Sequence, residues 1–150
     1  MQASDAAIQL IRQFEGFRAA PYLCPSRVPT IGYGHTAGVT MQTAPITQEE
    51  AEILLRQDLA KSERRIESLV KVELTQYEFD ALVSLVFNIG VDAFLASTLL
   101  RLLNAGNRAG AASQFDRWNK GTIGGTLVEL TGLTRRRAAE RRLFEGRSGK

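Results

Sequence analysis

The chain has 150 residues, 44% of them apolar, which suits one domain or two tightly joined lobes around a core and is too apolar for a disordered chain. Its 19 basic and 16 acidic residues leave a net charge of +3, a mild excess that fits an anionic partner but does not define a nucleic-acid binder. A single cysteine excludes an intrachain disulfide, and one cysteine with one histidine argues against a structural zinc site.

The N-terminal residues MQASDAAIQLIRQFEG hold no basic run followed by an apolar one, so neither a signal peptide nor a membrane anchor is expected. Ser4 or Asp5 can cap a first helix, on which Ile8, Ile11 and Glu15 share one face, and Gly16 ends it. Residues 17–38 change character. Three prolines break helix, Tyr22, Val28, Thr30, Ile31 and Tyr33 favour strand, and glycines punctuate the end. This predicts a small twisted hairpin or three-stranded sheet. Thr47-Gln48-Glu49-Glu50 matches a capping box and predicts a helix over about 48–70 with Ala51, Leu54, Leu55, Leu59 and Ile66 as apolar positions. Thr75 opens a helix that is apolar nearly all round (Phe79, Leu82, Val83, Leu85, Val86, Ile89), the mark of a buried helix, ended by Gly90. Helices are expected at 93–104, 107–118 and 133–145, with GTIGGT (121–126) a flexible loop before the last. In that last helix Glu140 and Glu145 interrupt the arginines 135–137 and 141–142, while Leu133, Ala138 and Phe144 form a core face, so a solvated charged surface is expected. The order of elements predicts an α+β architecture.

Residues 14–36, FEGFRAAPYLCPSRVPTIGYGHT, concentrate the unusual chemistry. Glu15 reads either as a solvated helix-end carboxylate or as one partly desolvated beside Ile8, Ile11 and Phe14, an environment that keeps a carboxylic acid protonated for general acid work. Cys24 reads either as a small buried hydrophobe or as a reactive thiol in a polar turn, with Arg18 and Arg27 near enough in sequence to lower its pKa. His35 reads as a core histidine, a surface one, or one held by a carboxylate.

The stretch resembles the signature of the phage-type lysozymes, glycoside hydrolase family 24: a glutamate, eight residues, an aspartate or cysteine, five residues, a threonine. Glu15, Cys24 and Thr30 have that spacing. The resemblance continues through TIGYGHT, QEEAEILLRQDL, ALVSLVFNIG, the F-x-x-S-T-L-L-R segment at 94–101, Arg117-Trp118 and GLTRRRAAERRLF, nearly the whole chain. It implies one lysozyme-like catalytic domain over 1–150. A small β lobe (about 14–46) and a helical lobe (about 74–150 with the first helix) would be joined by the long helix (about 48–70), with the active-site cleft between them. The implied activity is that of an endolysin, a muramidase hydrolysing the β-1,4 bond between N-acetylmuramic acid and N-acetylglucosamine in peptidoglycan.

By resemblance Glu15 is the general acid, Cys24 occupies a position where many members have aspartate, and Thr30 helps to hold a water on the far face of the sugar. Phe87 and Asn88 would line the cleft floor, with Thr36 and Ser97 as further substrate contacts. His35 would pack against Asp58 as structural support, and Arg136 would pair with Glu15. No cofactor or metal is implied. The expected partner is the glycan strand, met by a monomer that is made in the cytoplasm and reaches the periplasmic wall through a holin lesion. Glycosidases place two carboxyls about 6.5–9.5 Å apart for inversion and about 5–5.5 Å apart for retention. A thiol does not simply replace the second carboxyl, so an inverting course with Cys24 and Thr30 activating water is favoured over covalent attack by sulfur. The alternatives are a lytic transglycosylase, against which Thr30 argues, and an inactive wall-binding or virion structural module.

Overall fold

Two threonines start two of the long helices. Thr47 Oγ1 accepts from the Glu50 amide at 3.1 Å while the Glu50 side chain accepts from the Thr47 amide at 3.1 Å, opening α2 (Gln48–Leu69). Thr75 and Glu78 repeat the arrangement at 3.1 and 2.9 Å to open α3 (Gln76–Ile89). These reciprocal bonds satisfy amides that the first helical turn leaves without partners. Ser4 precedes α1 (Asp5–Glu15) without capping it through its side chain. Its hydroxyl and its amide (2.9 Å) both go to buried Asp80, tying the start of α1 to α3. The computed structural model describes residues 1–146, so the last four residues of the expected helical lobe lie outside the described residues.

Between α1 and α2 the chain forms an antiparallel pair, β1 (Arg18–Leu23) and β2 (Pro29–Gly32), with Tyr22 opposite Thr30 and an irregular register nearer Arg18. Ile31 then exchanges two 2.9 Å backbone bonds with His35, so the expected sheet is a two-strand hairpin with one further bridge. The hairpin sits on α2. Ile46 donates to the Ala19 carbonyl at 2.9 Å, and a Cβ on Gly32 would stand 3.1 Å from that of Ala51. Gly32 also has φ +67, so both crowding and backbone demand glycine there.

The helical body continues with α4 (Val91–Leu95), α5 (Thr98–Asn104), α6 (Arg108–Gln114) and a 3-10 turn (Phe115–Arg117). A second antiparallel pair follows, β3 (Lys120–Ile123) and β4 (Thr126–Glu129), and then α7 (Thr131–Phe144). The core is centred on α3, whose residues 78–86 are all buried. Ile8 and Ile11 of α1, Ala51, Leu55, Leu59 and Ile66 of α2, and Phe94, Leu99, Leu103, Phe115 and Phe144 close around it. Phe115 and Phe144 stack at 5.3 Å, joining the 3-10 turn to α7.

Three expectations are corrected. The helix expected at 93–104 is two helices, because Ser97 caps α5: its hydroxyl accepts from the Leu100 amide at 3.1 Å and donates to the Phe94 carbonyl at 2.7 Å. The helix expected at 107–118 ends at Gln114 and tightens into the 3-10 turn. GTIGGT is no loose loop, since Gly124 and Gly125, at φ +57 and +82, make the two-residue turn of the β3–β4 hairpin.

Deleting the Phe79 side chain, which is fully buried, is expected to cost about 3–5 kcal/mol. Removing the Thr47 cap by Thr47→Ala is expected to cost about 1 kcal/mol. Denaturant unfolding of the two variants checks the contrast, and equal costs would contradict this account of the core.

Candidate active site

Glu15 ends α1 on the face that carries buried Ile8 and Ile11, and its side chain is 22% exposed, neither free in solvent nor shut away. It stands where the hairpin lobe meets the helical body. Oε2 accepts from Arg136 Nη1 at 2.6 Å. Oε1 lies 3.3 Å from where a Cβ on Gly34 would be, and Phe87 Cζ lies 4.0 Å from that same point. Gly34 (φ +82) thus lets the backbone after β2 come close to the carboxyl and to α3 together. One carboxyl oxygen is committed to arginine, and the other faces the hairpin lobe.

Arg136 is 3% exposed and belongs to a buried cluster. Its Nε donates to Glu140 Oε2 at 3.2 Å and its Nη2 to the Ser84 carbonyl at 3.2 Å. Arg137 Nη2 donates to Glu140 Oε2 at 3.3 Å and to Asn88 Oδ1 at 2.9 Å, and Nη1 donates to the Trp118 carbonyl at 3.4 Å. Arg137 Nε lies 2.7 Å from Glu140 Oε1 as an ion contact out of line for a hydrogen bond. Ser84 Oγ also donates to Glu140 Oε2. Burial pushes the Glu140 carboxyl up from its ordinary value while Arg137 and Arg136 pull it down. Burial likewise pushes Arg137 down against the pull of Glu140. Three donors converging on Oε2 are what an ionised carboxylate accepts, so we read the pair as charged.

The expected core face of α7 is therefore corrected. Leu133 and Ala138 are only half-buried, whereas Arg136, Arg137 and Glu140 are buried with Phe144. An apolar-periodicity reading misses this stripe because its spacing is helical but its residues are charged. The available signal was Arg136 and Arg137 three and four residues before Glu140, a spacing that puts them on one helix face.

On the hairpin, Cys24 and Thr30 are brought together. The turn between the strands is fixed by the Cys24 amide on the Val28 carbonyl at 3.2 Å and the Arg27 amide on the Cys24 carbonyl at 2.7 Å, with Arg27 at φ +64. Half-buried Cys24 has its sulfur 2.9 Å from the Ser26 hydroxyl. Its pKa is lowered to about 7, first by that hydroxyl, then by a backbone bond from Val28; burial opposes this, and the Ser26 backbone and Thr30 add lesser lowering effects. The expectation that Arg18 and Arg27 lower it is not met, and Arg18 instead lies over the Tyr22 ring at 4.3 Å. Buried Thr30 donates to the Val28 carbonyl at 2.8 Å, which places its oxygen beside the thiol.

The remaining candidates are placed as follows. His35 Nδ1 meets Asp58 Oδ2 at 2.8 Å and links the hairpin lobe to the middle of α2. Phe87 is half-buried beside Gly34, and Asn88 is exposed at the end of α3 with its amide oxygen held by Arg137. Thr36 is exposed after the bridge, and Ser97 is buried within the cap of α5 with its hydroxyl both donating and accepting. A concavity of about 1200 Å³ between the outer faces of α1 and α7 is lined by residues including Leu10, Phe14, Phe17, Arg135 and Leu143 and holds none of these candidates. Its lining includes no carboxylate.

A carboxyl held by an arginine where a small sheet lobe meets a helical body, with a thiol and a hydroxyl together on that lobe's hairpin, fits a lysozyme-type glycoside hydrolase. Residues 12–140 match the Phage lysozyme family model. The chain is 44% identical over 145 residues to the endolysin of Acyrthosiphon pisum secondary endosymbiont phage 1, covering 97% of this chain and 99% of that protein. It is 42% identical to the endolysin of Salmonella phage P22, covering 96% and 98%. Its fold superposes on the muramidase domain of SpmX from Asticaccaulis excentricus with a TM-score of 0.90 at 42% identity, covering 95% of this chain and 97% of that one. The chain belongs to the phage lysozyme family.

Two measurements test this geometry. Gly34→Ala, which puts a Cβ against Glu15 Oε1, is expected to lower the lytic rate about 10- to 100-fold. Circular dichroism should show the variant folded, and unchanged activity would contradict the close approach. Alkylation of Cys24 by iodoacetamide should reach half its maximal rate near pH 7, below the ordinary thiol value of about 8.5. A midpoint at 8.5 or above would show that the turn does not stabilise the thiolate.

Proposed function

We propose that this peptidoglycan hydrolase is an N-acetylmuramidase that cleaves the β-1,4 bond between N-acetylmuramic acid and N-acetylglucosamine, with Glu15 as general acid. The observation that carries the reading is the asymmetric commitment of the Glu15 carboxyl, with Oε2 fixed by Arg136 and Oε1 turned toward the hairpin lobe. Oε1 is then the oxygen that gives its proton to the departing glycosidic oxygen. As the bond lengthens, positive charge develops on the sugar ring and a water attacks from the opposite face. Cys24 and Thr30 hold and activate that water. With a pKa of about 7 the sulfur is substantially thiolate at neutral pH, which supplies both a proton acceptor and a negative charge near the oxocarbenium-like centre. Asn88, its oxygen anchored by Arg137, presents its amide nitrogen to an N-acetyl carbonyl, and Phe87 supplies an apolar wall. Thr36, exposed just after the hairpin, is a further contact for the glycan, while Ser97 contributes through the α5 cap.

The described chain acts as one catalytic domain, working as a monomer on the glycan strand and needing neither cofactor nor nucleic acid. Among the described residues no helix is long and apolar enough to cross a membrane. We take access to the periplasmic wall to follow synthesis in the cytoplasm and release through a holin lesion, in keeping with the endolysin relatives.

Turbidity loss by outer-membrane-permeabilised Gram-negative cells, followed by analysis of the released sugars, tests the assignment. Wild type should lyse the cells and liberate reducing ends, and Glu15→Gln should lose at least about 100-fold in rate. Lysis at full rate by Glu15→Gln would remove Glu15 from the role. Release of 1,6-anhydro sugars would make the enzyme a lytic transglycosylase, and absence of lysis by wild type would favour an inactive wall-binding module.

A further inference from the structure

A general acid next to an arginine is a contradiction unless something else claims the arginine. A lone guanidinium favours the ionised carboxyl, whereas a general acid must carry its proton. Here Arg136 does not belong to Glu15 alone. Its Nη1 is 2.6 Å from Glu15 Oε2, but its Nε is bound to Glu140 Oε2 and its Nη2 to the Ser84 carbonyl. All three nitrogens are fixed, so Arg136 cannot turn to face Glu15 more fully. Glu140, fully buried, is also the partner of Arg137. Two carboxylates and two guanidiniums therefore share one buried site at the end of α1. The cluster is neutral with Glu15 ionised and carries one positive charge with Glu15 protonated. Without the charge on Glu140, the protonated state would hold two.

We propose that Glu140 is a positioning and charge-balancing residue for the catalytic acid, holding Arg136 and Arg137 so that Glu15 carries the proton it delivers. The proposal rests on the reading of Glu15 as general acid. The charged groups facing Glu140 are Arg136 and Arg137 from α7 and, across Arg136, Glu15 from α1. The helix α3 contributes the neutral Ser84 and Asn88, and the segment after the 3-10 turn contributes the Trp118 carbonyl. Asp80, one turn earlier on α3, is taken by Ser4 and Gln76, and Arg141 is taken by Asp116 and Glu145. Through Arg137 the same carboxylate reaches Asn88, so it joins the acid to the proposed substrate-binding amide.

The test is the pH profile of kcat/KM on soluble peptidoglycan fragments, measured by released reducing ends in chains that all carry Cys24→Ser, so that no thiol titrates across the same range and wild-type residues 137 and 140 are the reference. In Glu140→Gln the alkaline limb should move to lower pH by about one unit or more. In Arg137→Gln, which removes the opposite charge, it should move to higher pH. The double variant Glu140→Gln/Arg137→Gln restores the charge sum, and its limb should return toward that of wild type. Circular dichroism selects folded variants, and if Glu140→Gln does not fold, the sign of the shift in Arg137→Gln decides. A merely structural role lowers activity at every pH and leaves the limb in place, and either an unmoved limb or shifts of the same sign in both single variants would overturn the proposal. Glu15→Gln separates the two levels. If it is inactive while the limb stays unmoved, only the role of Glu140 fails; if it is active, the reading of Glu15 fails first.

Discussion

The 2.6 Å contact between Arg136 and Glu15 depends on a buried charge network, and most of the fold is arranged to make that network tolerable. An arginine and a glutamate taken from water each lose several kcal/mol of solvation, which attraction recovers only when the geometry is tight and the remaining donors are satisfied. The protein meets that condition by giving Arg136 three acceptors, Glu140 three aligned donors, and Arg137 partners on α3 and after the 3-10 turn. The stripe of α7 that would otherwise be apolar is given over to this. The cost is borne by the core around α3, where Phe79, Leu82, Leu85, Phe94 and Phe115 are fully buried. Tying α7 to α3 and α1 by directional bonds fixes the one side chain whose position matters most, the carboxyl at the end of α1.

The hairpin lobe solves a second problem with different means. A thiol is an ordinary weak acid, and no cation lies on Cys24 to change that. The turn does so with neutral groups: the Ser26 hydroxyl, backbone donors and the Thr30 hydroxyl. Hydrogen bonds to the charged form favour it just as an opposite charge would, without the long-range field of an arginine next to the substrate. Arg27 in a left-handed conformation is the strain that keeps this turn tight. The lobe is held to the rest by His35 on Asp58 and by the seat of Gly32 on Ala51, both on α2, so that α2 serves as the rigid connection between thiol and acid.

Much of this was legible in the sequence, and the misses share a cause. The capping box at Thr47 was read because four residues carry the whole signal, and Thr75 was read as a helix start, though its reciprocal partner Glu78 was not. The face of Glu15 followed from Ile8 and Ile11, whereas Cys24 and Thr30 were linked only by the resemblance to the phage-type lysozymes and by no reading of the strands themselves. The buried stripe of α7 was not legible, since Arg136, Arg137 and Glu140 are buried only because they satisfy one another and Ser84, which are tertiary facts. The β3–β4 hairpin was missed because its glycines read as looseness, although Gly-Gly between Thr-Ile and Thr-Leu-Val is also a two-residue turn signal. Ser97, expected by resemblance as a substrate contact, is also a helix cap, a role that a serine before Thr-Leu-Leu signals in the sequence.

The central claim is that sulfur and hydroxyl act on water and not on the sugar. An NMR time course of the first-formed reducing sugar tests it directly. The account predicts that wild type, Cys24→Asp and Cys24→Ser all release the α anomer, inverted from the β linkage, with Cys24→Ser slowest. A β anomer released first by wild type would contradict it, because retention takes two displacements at the anomeric carbon, through the enzyme or the substrate's own N-acetyl group, and not a single attack by water.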